Sequence, residues 1–504
     1  MSDIASPTAP ARVKHLLLLQ VIAAFFLAIK LVYVFRVGPI FDEAYYWLWG
    51  QHPGLSYFDH PPFHAWLLGI SDAIFGRSLW GLRWMTLACM AGTFYIYHIW
   101  AKRLAGADWQ SLWWPGVVIY LASPTFGYFM SLAFHDYLLI FLLLVSAHFF
   151  LNYLMAADAG ETPKKRDLYL AAIVLGCAGL TKYNAVFLGL GVFFFILWRP
   201  SLRKLLRDPN LYVAAAIAIA MQFPVLYWNA QDHFASFNFH LNTRHKGGGW
   251  LTDFNWNSFR DFPLASAFLV GPFLVPVFWR FFTRTHATQF ESVAKGLAIW
   301  TFWLSTACFI FVSLFDWVFW WWNLAAYVIV MGFAARYMGR GWLFYGHVVF
   351  GALVQLYLII SVTVFPLSFL QGWADPRQTS TYGWEELRAV VSTARDEYKP
   401  DFIAGNGPDL SSNVAFAIDD KDVVALTDRK TQFTYWFNRE DLRGKNGLIV
   451  TFKDRPDAWL AEQFKTMTLV GTTDVTRFGT MIQGYDVYYA EDYEPETVEG
   501  VQGL

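Results

Sequence analysis

Long apolar runs, each about the length of a bilayer crossing, alternate with short polar segments over the first 364 positions of this 504-residue chain. A spanning helix needs about 20 apolar residues. Eleven such runs fall at about 15–35, 79–99, 111–131, 136–155, 168–181, 184–198, 211–229, 263–279, 296–315, 317–335 and 342–364. The pattern changes after Pro366. Leu387, Val390, Val391 and Ala394 recur at helical spacing within Trp384–Glu397. Short β-type runs follow at Asp401–Ala404, Val423–Leu426, Leu448–Phe452, Thr468–Val470 and Gly484–Tyr489, punctuated by Gly and Asp. The expected fold is mainly α. A polytopic transmembrane helical bundle over 1–366 precedes a small extramembrane α/β domain over 367–504.

Charge supports that boundary and sets the threading. Residues 365–504 hold 23 Asp and Glu against 14 Lys and Arg, whereas the first 364 hold 16 against 24. Basic clusters stay in the cytoplasm when loops are short. Arg12/Lys14, Lys102/Arg103, Lys164–Arg166, Arg199–Arg207, Arg280/Arg284 and Arg336/Arg340 all fall on one side if the spans are those above. The N-terminus is then cytoplasmic, its apolar run a retained span and not a cleaved leader. The C-terminal domain lies outside. Residues 168–198 decide the parity, because both ends are basic. One crossing would strand a cluster on the wrong side, whereas a hairpin turning at Thr181–Asn184 satisfies both. Its arms of about 14 residues reach roughly 21 Å, short of a core of about 30 Å. Lys182 is thereby expected at membrane depth, where an ionisable residue is a functional candidate.

Composition agrees with a lipid-facing surface: 56% hydrophobic, 19% aromatic and only 15% charged, with 25 Trp and 48 Phe. Aromatics of this abundance suit belts at the headgroups. Cys89, Cys177 and Cys308 sit singly in apolar segments and read as small buried hydrophobes. No G-x-G-x-x-G or Walker loop appears, no paired-His metal motif, and no internal repeat. A nucleotide donor is therefore not indicated, and no nucleic-acid partner is expected.

The outer loops carry the candidate chemistry. Adjacent acids Asp42 and Glu43 lie among Tyr45, Tyr46, Trp47 and Trp49, followed by Tyr57-Phe58-Asp59-His60-Pro61-Pro62. Such a stretch reads as a half-buried interfacial helix aiming acids into a cleft, or as one whose acids face water. A base for a hydroxyl must be both ionised and positioned. Asp136 opens a span at the same face, where a helix-start acid is favoured in any case. Lys182 suits a phosphate at headgroup level. Arg244, with His245 and Lys246 beside Gly247–Gly249, suits the same anion or a lipid headgroup. His60 is a phosphate ligand, a metal ligand with Asp59, or an interfacial histidine. Asp316, near Trp320–Trp322, reads as a helix cap.

In order, these motifs resemble those of the membrane glycosyltransferases with the C-type fold, the superfamily of protein mannosyltransferases and the bacterial lipid A aminoarabinose transferase. Asp42-Glu43-Ala44-Tyr45 resembles the first-loop acidic motif and Tyr57–Pro62 the "YFEKPP"-like signature. Asp136 matches the second acid, and Gly179-Leu180-Thr181-Lys182-Tyr183 is similar to the "LTK" turn. Pro224–Asn229 with His233, Ser236-Phe237 and Arg244 resembles a loop of the bacterial branch, and the pattern is nearest to lipopolysaccharide galacturonosyltransferases. The resemblance implies a polyprenyl-phosphate sugar donor, a lipid or glycan acceptor such as lipid A, and inversion at the anomeric carbon, at the periplasmic face of a bacterial inner membrane. Asp42 would be the catalytic base, and Asp136 or Glu43 would support it or bind the acceptor. Lys182, Arg244 and His60 would bind the donor phosphate. Tyr45, Tyr57 and Asp59 would bind acceptor or sugar. His60 and Asp59 stand where many members have Lys and Glu, which leaves a divalent metal there an open question.

Two other readings use the same features. A flippase of a lipid-linked saccharide would also bury charges at membrane depth, but it predicts repeated halves. A polymerase or ligase of lipid-linked glycans would share the donor and differ in acceptor.

Overall fold

The computed structural model describes residues 9–241, 253–453 and 458–495. Helices follow in chain order as α1 (Ala9–Arg36), α2 (Phe41–Gln51), α3 (Phe63–Phe75), α4 (Leu79–Ala105), α5 (Gln110–Ala122), α6 (His135–Asp158), α7 (Lys165–Gly179) and α8 (Val186–Trp198). Then come α9 (Pro209–Ala220), α10 (Phe223–Gln231), α11 (Ala235–Leu241), α12 (Trp256–Val270), α13 (Val275–Thr283), α14 (Gln289–Ser313), α15 (Val328–Met338) and α16 (Trp342–Thr363). The last are α17 (Pro376–Thr379), α18 (Trp384–Tyr398), α19 (Pro408–Ile418), α20 (Phe433–Trp436) and α21 (Ala458–Ala461).

Among the described residues four helices are long and apolar enough to cross a membrane, those over Val13–Arg36, His135–Asp158, Gln289–Ser313 and Trp342–Thr363; counting each bent pair as one span raises this to seven. The other expected crossings fall on shorter or interrupted helices and on α4. The run at 111–131 breaks at Ser123-Pro124, after which Pro124–Tyr128 winds as a π-turn. The run at 263–279 bends by 89° at Gly271-Pro272. Gly271 has φ +131, and a Cβ there would lie 2.7 Å from the His347 ring, so only glycine fits.

The chain packs as two compact units. The first comprises residues 1–32, 85–226 and 240–356. Its centre is α6, which is 67% buried where the other three long spans are 33–39% buried. A helix buried around most of its circumference needs apolar residues on every face, and Tyr137, Leu138, Leu139, Ile140 and Tyr153, which point in five directions around the axis, provide them. Lys30 of α1 is buried and donates to Met130 O (3.0 Å), Gly127 O (3.4 Å) and Ser131 Oγ (3.0 Å). Two of these contacts serve carbonyls of the broken backbone after α5, which must find partners inside a membrane.

The second unit comprises residues 33–84, 227–239 and 357–504. This grouping joins the first polar loop to the C-terminal region, which the composition boundary at Pro366 does not. Its sheet has the order β2-β1-β3-β5-β4, from β1 (Phe402–Asn406), β2 (Val424–Leu426), β3 (Gly447–Phe452), β4 (Phe464–Arg477) and β5 (Thr480–Tyr493). β1 pairs parallel with β2 and β3, with Ile403 opposite Leu448. β5 runs antiparallel to β3 and β4, with Ile449 opposite Tyr488. The expected helix and five strands are present. α19 was not expected; Pro408 at its first position, which tolerates a missing N–H, starts it.

Candidate active site

In the second unit α2 is the scaffold. Trp47 donates to Asp72 Oδ1 (2.8 Å) and meets Phe416 of α19 edge-on at 5.2 Å. Gly50 and Gly69 bring α2 and α3 so close that a Cβ on Gly50 would sit 2.6 Å from the Gly69 nitrogen. Tyr57 stacks on Trp49 at 4.5 Å, its hydroxyl held by Trp49 O (2.9 Å), His52 O (3.1 Å) and the Gly54 N–H (3.1 Å). Tyr57 thereby braces the loop.

The adjacent acids have different environments. Glu43 is fully buried and forms a fork with Arg83, Nε to Oε1 at 2.8 Å and Nη2 to Oε2 at 2.5 Å. Its Oε2 also accepts from the Ile40 N–H at 3.2 Å, closing the first turn of α2. Arg83 reaches Tyr33 O (3.0 Å), Val37 O (2.6 Å) and Gly38 O (3.2 Å) as well. All five guanidinium N–H groups are thereby engaged. Both oxygens of Glu43, a residue expected in the catalytic group, are thus committed to Arg83 and the Ile40 N–H.

Asp42 has no hydrogen-bond or ion-pair partner among the described residues and keeps an open face to solvent. The bulk of its surroundings is protein, and desolvation is the main cause lifting its pKa from 3.8 to about 7. Asp409 adds to the rise, Arg377 opposes it, and Asp59 and Glu43 add smaller contributions. Water at the open face moderates the shift without changing its sign, and the helix N-terminus favours the ionised form. Asp409 is itself raised by burial, with Arg429 opposing. Such a carboxylate takes up and releases a proton near neutrality, as a general base requires.

Asp59 accepts from the Tyr45 hydroxyl at 2.7 Å, and Tyr45 stacks on Phe433 at 6.0 Å. The Tyr45 pKa rises well above normal through burial and then the Asp59 charge. The His60 ring lies against Tyr46 and Trp49 at 6.2 and 6.4 Å. No three His, Cys, Asp or Glu side chains among the described residues gather closely enough to hold a metal ion.

In the first unit Lys182 and Asp136 form a buried ion pair, Nζ to Oδ1 at 2.7 Å. Lys182 caps a short turn between α7 and α8 with extended backbone angles. Gly189 faces Leu175, each seven residues from Lys182, and Leu168, Ala172, Val192 and Ile196 line a cavity of about 150 Å³ between the arms. The segment is therefore a hairpin turning at Lys182. Asn184 is anchored to Trp322 O at 2.6 Å. Arg244, His245 and Lys246 lie outside the described residues. Asp316, read as a cap, bonds the Trp317 N–H at 2.7 Å.

Residues 59–228 match the family model of dolichyl-phosphate-mannose-protein mannosyltransferases, a stretch that contains Asp59, His60, Asp136 and Lys182. The whole fold is similar to that of ArnT from Cupriavidus metallidurans bound to undecaprenyl phosphate. The TM-score is 0.60 at 15% identity, over 96% of this chain and 98% of that one. The apo form of that protein gives 0.59. The chain has the C-type glycosyltransferase fold. A lipid A galacturonosyltransferase, RgtD of Rhizobium johnstonii, is 31% identical over 195 residues. That alignment spans 38% of this chain and 38% of the relative's length.

Sequence reasoning passed over Arg83 and Lys30. Each interrupts an expected apolar span with one basic residue, and that interruption is the signal. Asp409 and Arg377 lie hundreds of positions from Asp42 and had no local signal.

Proposed function

We propose that this protein is a membrane glycosyltransferase that moves a sugar from a polyprenyl-phosphate carrier to a hydroxyl of a lipid or glycan acceptor, lipid A or lipopolysaccharide in the first instance. The observation that carries the reading is Asp42, a carboxylate with no partner among the described residues, held near neutral pKa on a rigid helix of a C-type fold. Asp42 takes the acceptor hydroxyl proton as the oxygen attacks the anomeric carbon. The bond from that carbon to the phosphate oxygen breaks on the opposite face, so the configuration inverts and the lipid phosphate leaves. The phosphate is already a good leaving group, and a cation that stabilises its charge supplies a large electrostatic contribution. Lys182 is the cation proposed for that role in the first unit, and Asp136 fixes its position. Tyr45 and Asp59 are proposed sugar contacts, and Arg244 and His60 further phosphate contacts. The lipid A galacturonosyltransferase RgtD supports the acceptor class, and the undecaprenyl phosphate bound to ArnT supports the donor class.

The reaction is proposed to face the periplasm of a bacterial inner membrane. A topology reporter fused after Gly372 should report from outside the cytoplasm. Mass analysis of envelope glycolipids from cells with and without the gene tests the activity. A sugar-sized mass difference restored by the wild-type chain but not by Asp42→Asn is expected. Identical glycolipids in all three strains would overturn the reading.

A further inference from the structure

A cavity of about 530 Å³ lies wholly within the second unit. Arg36, Arg77, Arg388 and Arg477 line it together with Glu385 and Glu386, four basic residues to two acidic ones. We propose that this cavity binds the phosphate of a bilayer lipid, with its acyl chains on the neighbouring exposed apolar surface.

Placement at a bilayer boundary comes from two long apolar helices that end there. Arg36 is the last residue of α1, and Val362 and Thr363 close α16. Beside Arg36 and Leu79, Phe35 and Trp80 stack at 5.5 Å and are 49% and 37% exposed. Beside Arg477, Phe478 is 81% exposed at the tip of the β4–β5 hairpin and touches Phe365 just beyond α16. Aromatic groups of this kind settle at the headgroup level.

The cationic groups are not all consumed by the fold. Arg77 reaches Phe416 O at 2.5 Å and Asp419 at 3.1 Å, and Arg388 reaches Ala417 O at 2.8 Å, so both close the C-terminal end of α19. Arg477 bonds its neighbour Thr476 O and lies 4.0 Å from Glu386. Arg36 has no hydrogen-bond or ion-pair partner among the described residues. The N-terminus of α18 also opens here without a side-chain cap, and uncapped N–H groups suit a phosphate. Glu385 and Glu386 favour a headgroup that offers donors beside its phosphate.

Phosphatidylglycerol meets both demands and is the probe. The full chain is placed in phosphatidylcholine nanodiscs containing a minority of phosphatidylglycerol, and retained lipid is counted by native mass spectrometry after extraction. Wild type should retain phosphatidylglycerol about tenfold over phosphatidylcholine, the equivalent of one charge-assisted hydrogen bond. Arg36→Gln with Arg477→Gln should lose that preference while keeping the wild-type melting temperature, because neither residue closes α19. Lack of preference in wild type, or undiminished preference in the double variant, overturns the proposal. Displacement of the lipid by inorganic phosphate alone would also overturn it, assigning the cavity to a free anion. The readout is lipid retention, so its failure leaves the transfer reaction standing.

Discussion

Replacing Asp42 with Asn should abolish transfer and, above neutral pH, make the protein more stable. The folded state raises this carboxyl from 3.8 to about 7. Between those values the folded chain holds a proton that the unfolded chain has released. Stability contributed by the protonated acid is present below about pH 4 and is lost as pH rises through about 7. At 1.36 kcal/mol per pH unit, the rise from 3.8 to about 7 sets a ceiling of roughly 4 kcal/mol. The open face of the side chain admits water, which cuts this to on the order of 1–2 kcal/mol. Asn keeps the shape and removes the charge, so its advantage should be absent near pH 4 and full at pH 8. The assay is thermal unfolding in one detergent at a fixed scan rate, since membrane proteins often unfold irreversibly. Transfer should fall by about 10²–10⁴, the usual contribution of a general base. A variant as active as wild type, or less stable at pH 8, would refute the assignment.

Arg377→Gln should move the rising limb of transfer against pH to higher pH, because the guanidinium lowers the Asp42 pKa. Asp409→Asn should move it to lower pH, and unshifted limbs in both would remove these neighbours from the account. Lys182→Ala should cost about 3–5 kcal/mol by leaving Asp136 buried without its counter-charge. Adding Asp136→Leu should restore much of that stability but not donor binding; strictly additive losses would deny the pair. Glu43→Gln should lower stability by a similar amount through Arg83. A stable but inactive Glu43→Gln protein would keep Glu43 in the catalytic group.

The helical bundle, the sheet domain and the hairpin were legible in the sequence, because each rests on local pattern. The hairpin followed from basic residues at both ends of 168–198, and Gly189 against Leu175 bears it out. Interruptions at Ser123-Pro124 and Gly271-Pro272 were visible as residues but not as bends, since a proline or glycine in an apolar run permits a break without requiring one. The unit boundary was less legible. Composition divides the chain at Pro366, whereas Trp47 packs on Phe416 and Phe58 N–H reaches Gln432 at 2.7 Å. Contacts spanning more than 350 residues leave no mark on local composition.

The separation of Asp42 from Glu43 was the part a linear reading could not reach. Side by side in sequence, they looked interchangeable. Consecutive residues on a helix point about 100° apart, so one turn of α2 sends Glu43 inward to Arg83 and leaves Asp42 facing the open side. The buried fork then has a purpose beyond stability. It fixes the first turn of α2, and the first turn of α2 fixes Asp42. For the proposed base Asp42 this placement matters, because a small misplacement costs rate steeply, and Arg83, with all five N–H groups engaged, supplies it through Glu43. The same logic separates Lys182 from an ordinary buried cation. Asp136 pairs with Lys182 at 2.7 Å, and the phosphate of the proposed donor would compete with that carboxylate for the same ammonium.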